Sequence, residues 1–135
     1  MVADTLVDRK VEASERLAKE LIGTGSPLLA AYWDFREESG QWTLVLVPTS
    51  PKEERALIEQ ATALLVKPAY RSVFSLSDPA VDSSQIERAR ALGAYIRVEP
   101  YIGRRIDTTF TGGQYFESVV PVYFVPGLVT HLSVA

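Results

Sequence analysis

The sequence predicts an α+β fold: one mixed, mostly antiparallel sheet with about three helices packed on it. Three observations carry this expectation. Apolar residues recur at helical spacing in residues 5–22, 50–65 and 84–93. Short apolar or alternating runs of strand length lie between and after them. Turn residues punctuate the joins, at Gly40, Gly112-Gly113 and Pro126-Gly127. The predicted order is α-β-β-α-β-α-β-β-β. At 135 residues the chain has the commonest single-domain size, and no linker or repeat divides 1–135.

Residues 5–22 read as an amphipathic helix, with Val7, Val11, Ala18, Leu21 and Ile22 on one stripe. Thr5 and Asp8 resemble a capping box, and Gly23 stands where a terminating glycine belongs. "PLLAAYWDF" (27–35) and "QWTLVLV" (41–47) read as an antiparallel hairpin. Both alternating sets of the second strand are apolar, so it is expected inside the sheet and covered on both faces. In 50–65 Ser50 is the expected N-cap, Pro51 the first helical residue and Glu53 the capping-box partner. "RSVFSLS" (71–77) is expected as a strand and "DPAVDSS" as a loop. A short helix follows at 84–93, capped by Ser84 and ended by Gly93, and then a strand at 94–99. The last third is β-rich, and Pro121 inside its second run implies an edge strand or a bulge.

Composition narrows the function classes. With no cysteine, disulfides, thiolate nucleophiles and cysteine metal sites are excluded. The charged N-terminus has no signal-peptide core, and no apolar run approaches the roughly 18 residues of a membrane span. A cytoplasmic protein with no membrane partner is therefore expected. Net charge is −3, whereas a dominant nucleic-acid footprint is strongly basic. Residues 61–105 are the exception, with 7 basic against 4 acidic side chains.

Few motifs suggest chemistry. "GTGSP" (23–27) follows a helix and precedes a strand, the reverse of a phosphate loop. "WDFREE" (33–38) offers Asp34 with Glu37 and Glu38, but the next strand lacks the acid and lysine of a metal nuclease; the acids read as hairpin-tip charges in water. Asp78 and Asp82 flank a turn, where Asp serves as a cap. His131, the one histidine, stands alone in the tail. No metal or cofactor is expected. The remaining group is Arg97, Tyr101, Arg104, Arg105, Asp107 and Tyr115. Arginine forks bind phosphates, and aromatic rings can stack on bases. Alternation sends Arg104 and Arg105 to opposite faces and leaves Arg105 and Asp107 to compensate each other, on one face with Thr109.

No residue set marks an enzyme. The leading expectation is a binding or interaction module, self-associating or held in a protein complex through the uncharged stretch "SVVPVYFVPGLV" (118–129). The alternative is a phosphate-, nucleotide- or nucleic-acid-binding protein using the basic middle. A hydrolase version would gather Asp34, Asp78 and Asp82 around Mg²⁺.

Overall fold

A computed structural model describes residues 8–36, 38–75, 78–95 and 105–125. In chain order it contains α1 (Asp8–Gly23), β1 (Leu28–Arg36), β2 (Gln41–Pro48), α2 (Glu54–Leu65), α3 (Pro68–Arg71), β3 (Pro79–Val81), α4 (Ile86–Tyr95), β4 (Ile106–Thr111) and β5 (Gln114–Phe124). The five strands form one sheet in the order β3-β2-β1-β5-β4. Only β2 and β3 run parallel; the other neighbours are antiparallel.

The sheet is covered on both faces, and strand alternation divides its side chains. Trp33 and Phe35 of β1, and Trp42, Leu44 and Leu46 of β2, pack with Leu17 and Leu21 of α1 and Leu57 and Ala61 of α2. Tyr32 of β1 and Val45 and Val47 of β2 pack with Ala89 and Leu92 of α4 on the other face. The two apolar sets of β2 thus each find a layer, as its sequence requires. α1 carries a buried polar residue, Ser14, on its apolar side. Its hydroxyl donates to the Val11 carbonyl at 2.7 Å and accepts from the Trp33 indole N–H at 3.1 Å, so neither group is buried without a partner.

Helix ends depart from the expected caps. α1 ends at Gly23, but the left-handed glycine that follows the helix is Gly25: it has φ +77°, the Ser26 N–H bonds the Leu21 carbonyl, and the Gly25 N–H bonds the Ile22 carbonyl. That is the Schellman pattern with glycine in the left-handed position. Ser50 precedes a 3₁₀ turn over Pro51–Glu53, but its side chain makes no cap bond. Before α4, a 3₁₀ turn over Ser83–Gln85 is capped by Asp82 rather than Ser84; the Asp82 carboxylate accepts from the Ser84 amide. Thr5 lies outside the described residues.

The expected strand at 71–77 is absent from its described part. Pro68 ends the previous helix and also starts α3, because its fixed φ suits a first helical turn. Tyr70 and Phe74 then stack 6.1 Å apart and are buried in the core. The strand forms later, inside the expected loop, as three residues pairing with Leu44–Leu46. α4 runs through buried Gly93 to Tyr95, so 94–95 is helix rather than strand. The rest of 94–99 lies outside the described residues.

The last hairpin has the expected register. Phe110 pairs with Tyr115 and Thr109 with Phe116 across Gly112 and Gly113, whose φ values are +57° and +79°. Positive φ at both central residues is the I′ requirement. Pro121 marks a bulge, where the β1–β5 register shifts between Ala31 and Tyr32, and β5 is an inner strand rather than an edge. Thr108 has φ +45° and interrupts the alternation of β4. Thr109 is consequently buried while Asp107 stays exposed.

Candidate functional site

Of the six residues singled out by sequence, Arg97, Tyr101 and Arg104 lie outside the described residues, as does His131. The other three do not converge. Arg105 Nε meets Asp107 Oδ1 at 2.7 Å, and the Ser118 hydroxyl donates to the same oxygen at 2.6 Å. The Ser118 hydrogen bond, with Arg105 beside it, holds the Asp107 carboxyl below its ordinary range. The Arg105 guanidinium also lies 5.3 Å from the Trp42 ring centre. Arginine and acid compensate each other here, as alternation requires. Tyr115 stands apart, on the wall of a different cavity.

The three acids of the metal reading go to three separate tasks. Asp34 is not a hairpin-tip charge: its place on the central strand β1 buries it, and its side chain is 3% exposed. Its Oδ2 accepts from Arg88 Nη1 at 2.8 Å and Arg36 Nε at 3.2 Å. Asp78 bonds the Ser75 amide at 2.9 Å and Lys10 at 2.8 Å. Asp82 caps the turn before α4. Among the described residues no three acidic or histidine side chains lie close enough together to hold a metal ion.

Asp34 belongs to a polar centre built between β1, α4 and β5. A carboxylate in a sheet interior needs a paired cation, and α4 supplies Arg88. Arg88 is held on three sides: by Asp34, by Gln85 Oε1 at 3.1 Å and by the Tyr115 carbonyl at 2.9 Å. Its guanidinium also lies 4.2 Å from the Phe116 ring centre. The Tyr32 hydroxyl makes a long 3.5 Å bond to Gln85. Burial pushes the Tyr32 hydroxyl far above its ordinary range. Among the buried side-chain polar atoms of the described residues, Asp34 Oδ1 has no hydrogen-bond partner. A cavity of about 280 Å³ adjoins this centre, lined by Asp34, Phe35, Arg36, Arg88, Tyr115 and Glu117. Sequence reasoning missed Arg88, whose place one turn into an amphipathic helix looks solvent-facing.

A second, larger cavity lies near the β3 edge of the sheet. This cleft of about 620 Å³ is lined from α2 by Ile58, Ala61, Thr62 and Leu65, from α3 and the turn after it by Tyr70, Arg71 and Phe74, and from β3 by Pro79, Ala80 and Val81. Leu46, Val66 and Ser75 complete it, and Arg71 is the one charged side chain among these lining residues. Ile58 and Val66 remain 42% and 59% exposed. β3 leaves the space because it is only three residues long. On the far side of α3, the Tyr70 hydroxyl donates to Glu20, which holds the Glu20 carboxyl below its ordinary range.

The described part of the uncharged C-terminal stretch, residues 118–125, lies mostly in the core. Ser118, Val119, Val120, Val122 and Phe124 are buried, each 7% exposed or less. The core explains the apolar character of Val119, Val120, Val122 and Phe124, and residues 126–129 lie outside the described residues. Among the described residues no helix is long and apolar enough to cross a membrane. Comparison with family models, with curated proteins and with solved structures gives no significant match.

Proposed function

We propose that the protein is a binding module whose ligand sits in the apolar cleft between α2, α3 and β3. This reading places the binding surface at the cleft rather than at residues 118–129. The observation that carries the reading is the cleft itself. A largely apolar space of about 620 Å³ falls within the usual 300–1,000 Å³ of small-ligand sites. It is flanked by Ile58 and Val66, two large apolar residues left exposed. Its single charge selects the ligand's polarity: an apolar body ending in an anionic group, which the Arg71 guanidinium can take with two parallel hydrogen bonds. A protein partner would use the same surface through an apolar segment with an acidic residue at its end.

Titration of the isotope-labelled protein with decanoate, and with decanol as the uncharged control, tests this reading. Saturable shifts are expected at the Ala61, Thr62, Ala80 and Val81 amides. Arg71→Met should weaken decanoate and leave decanol unchanged. Equal loss of both ligands would contradict a role for the charge, and no saturable shift with either would remove the site.

Arg105, which the nucleotide reading would use, pairs with Asp107 at 2.7 Å. No specific observation favours that reading over the cleft.

A further inference from the structure

Taking the cleft as the binding surface, we propose that its partner is an extended apolar peptide ending in a carboxylate, which binds by adding a strand to the open edge of β3.

β3 is the last strand on its side of the sheet, with β2 as its one neighbour. The Leu44 amide donates to the Asp78 carbonyl at 2.6 Å, and the Asp82 amide donates to the Leu46 carbonyl at 3.1 Å. Between these bonds Val45 pairs with Ala80. Main-chain groups alternate in direction along a strand. Asp78, Ala80 and Asp82 therefore face β2, and Pro79 and Val81 face away from it. The outward groups are the Pro79 carbonyl and the Val81 N–H and carbonyl. None of them has a partner among the described residues. The missing N–H of Pro79 costs no ladder bond there, which is how an edge strand accommodates proline.

The open edge and the cleft are continuous. Alternate side chains of a strand point to opposite faces, yet Pro79, Ala80 and Val81 all line the cleft. The space therefore runs along the outer edge of β3 as well as over one face. Ile58, Ala61 and Leu65 of α2 stand across it. An extended segment can pair its main chain with Val81 and send every second side chain toward α2, the division of labour of strand addition. Three residues offer few bonds, so the apolar cleft supplies the rest of the affinity. Arg71 supplies the charge complementarity: one guanidinium among uncharged lining side chains matches one carboxylate. The opposite edge of the sheet is protected. β4 carries exposed Asp107 and left-handed Thr108, and charge and irregularity at an edge oppose strand addition. β3 has no charged residue and no shift of register.

The test uses the full chain and a peptide of three threonine-valine repeats, acetylated at its start and ending in a free carboxylate. Decanoate probes the cleft alone. The peptide should bind saturably and displace decanoate. The same peptide with an amidated end should bind about tenfold more weakly, the loss of a charge-assisted bond. Methylating its backbone nitrogens one at a time should weaken binding about tenfold at alternate positions and little between them, because every second N–H faces β3. Hydrogen exchange at the Val81 amide should slow about tenfold or more in the complex. Binding of decanoate without binding of the peptide would overturn strand addition while leaving the cleft as a small-ligand site. Peptide binding insensitive to every methyl group, unchanged Val81 exchange, or equal affinity of acid and amide would overturn it too. Binding of neither probe would remove the cleft as a site altogether.

Discussion

Arg88 and Arg105 each pair with an aspartate, at 2.8 and 2.7 Å, yet their surroundings give the two pairs different weights. The Arg88 pair is buried, with side chains 14% and 3% exposed, and removing one partner leaves an uncompensated charge inside the sheet. Such losses cost about 3–5 kcal/mol. The Arg105 pair is 41% and 60% exposed, and water screens it to about 1 kcal/mol or less. Urea denaturation should therefore show Arg88→Met destabilised by about 3 kcal/mol and Arg105→Met by about 1 kcal/mol. Similar losses for both would mean that Asp34 is not the buried partner described. A second residue-level expectation concerns alkali. Burial raises the hydroxyl pKa of Tyr32, and of Tyr70, where the bond to Glu20 adds to it. A pKa raised in the folded state gives stability that is complete below the unfolded value, about 10. That stability is lost as pH rises toward the folded value. Tyrosinate absorbance should thus show a late phase that coincides with loss of near-ultraviolet circular dichroism. Ionisation of all six tyrosines before any unfolding would contradict the burial of Tyr32 and Tyr70.

The hairpin Ile106–Phe124 shows how an element can be legible in sequence while its contacts are not. Gly112-Gly113 announced a I′ turn, and the turn fixed the register of Phe110 and Tyr115. Nothing local announced that a Cβ on Gly112 would come within 2.7 Å of the Ala91 Cβ of α4, while one on Gly113 would meet nothing. Both glycines have positive φ, so alanine at either costs about 1–2 kcal/mol of backbone strain. Thermal denaturation should show Gly112→Ala as the worse of the two, and Ala91→Gly in the same chain should recover the difference. Equal effects would place the turn away from α4. The same division holds elsewhere. The hairpin of β1 and β2, α1 and α2 follow from periodicity and turns, because each buries a face that its own residues define. The strand expected at 71–77 does not follow because Pro68 stops α2 and also starts α3, so that Val73 and Phe74, strand formers by type, follow a helical turn. β3 was unreadable for another reason. Three residues containing a proline have no strand pattern of their own, and β2 imposes the pairing from across the fold. Asp34 looks like a tip charge in sequence because its partner lies 54 residues away on a helix.

On the scale of the whole molecule, the sheet is anchored at its centre and thin at one side. β1 is flanked by β2 and β5 along most of its length, whereas β3 contributes three residues to the far edge. Local opening should follow that gradient. Native-state hydrogen exchange is expected to show the amides of β1 and inner β2 exchanging only through global unfolding. Those of β3 should exchange earlier, beside the cleft that β3 lines. Uniform protection across the sheet would contradict this. The gradient places the cleft at the side of the sheet best able to adjust to a ligand, with the rigid core behind it. The claim that this cleft is the binding surface is tested most directly by calorimetric titration of decanoate into the wild-type protein and into Thr62→Trp. Thr62 is exposed on the cleft wall, so the indole fills the space without entering the core. Saturable binding to the wild type, lost in a folded Thr62→Trp protein, is the predicted result. Equal binding to both proteins, or none to the wild type, would contradict it.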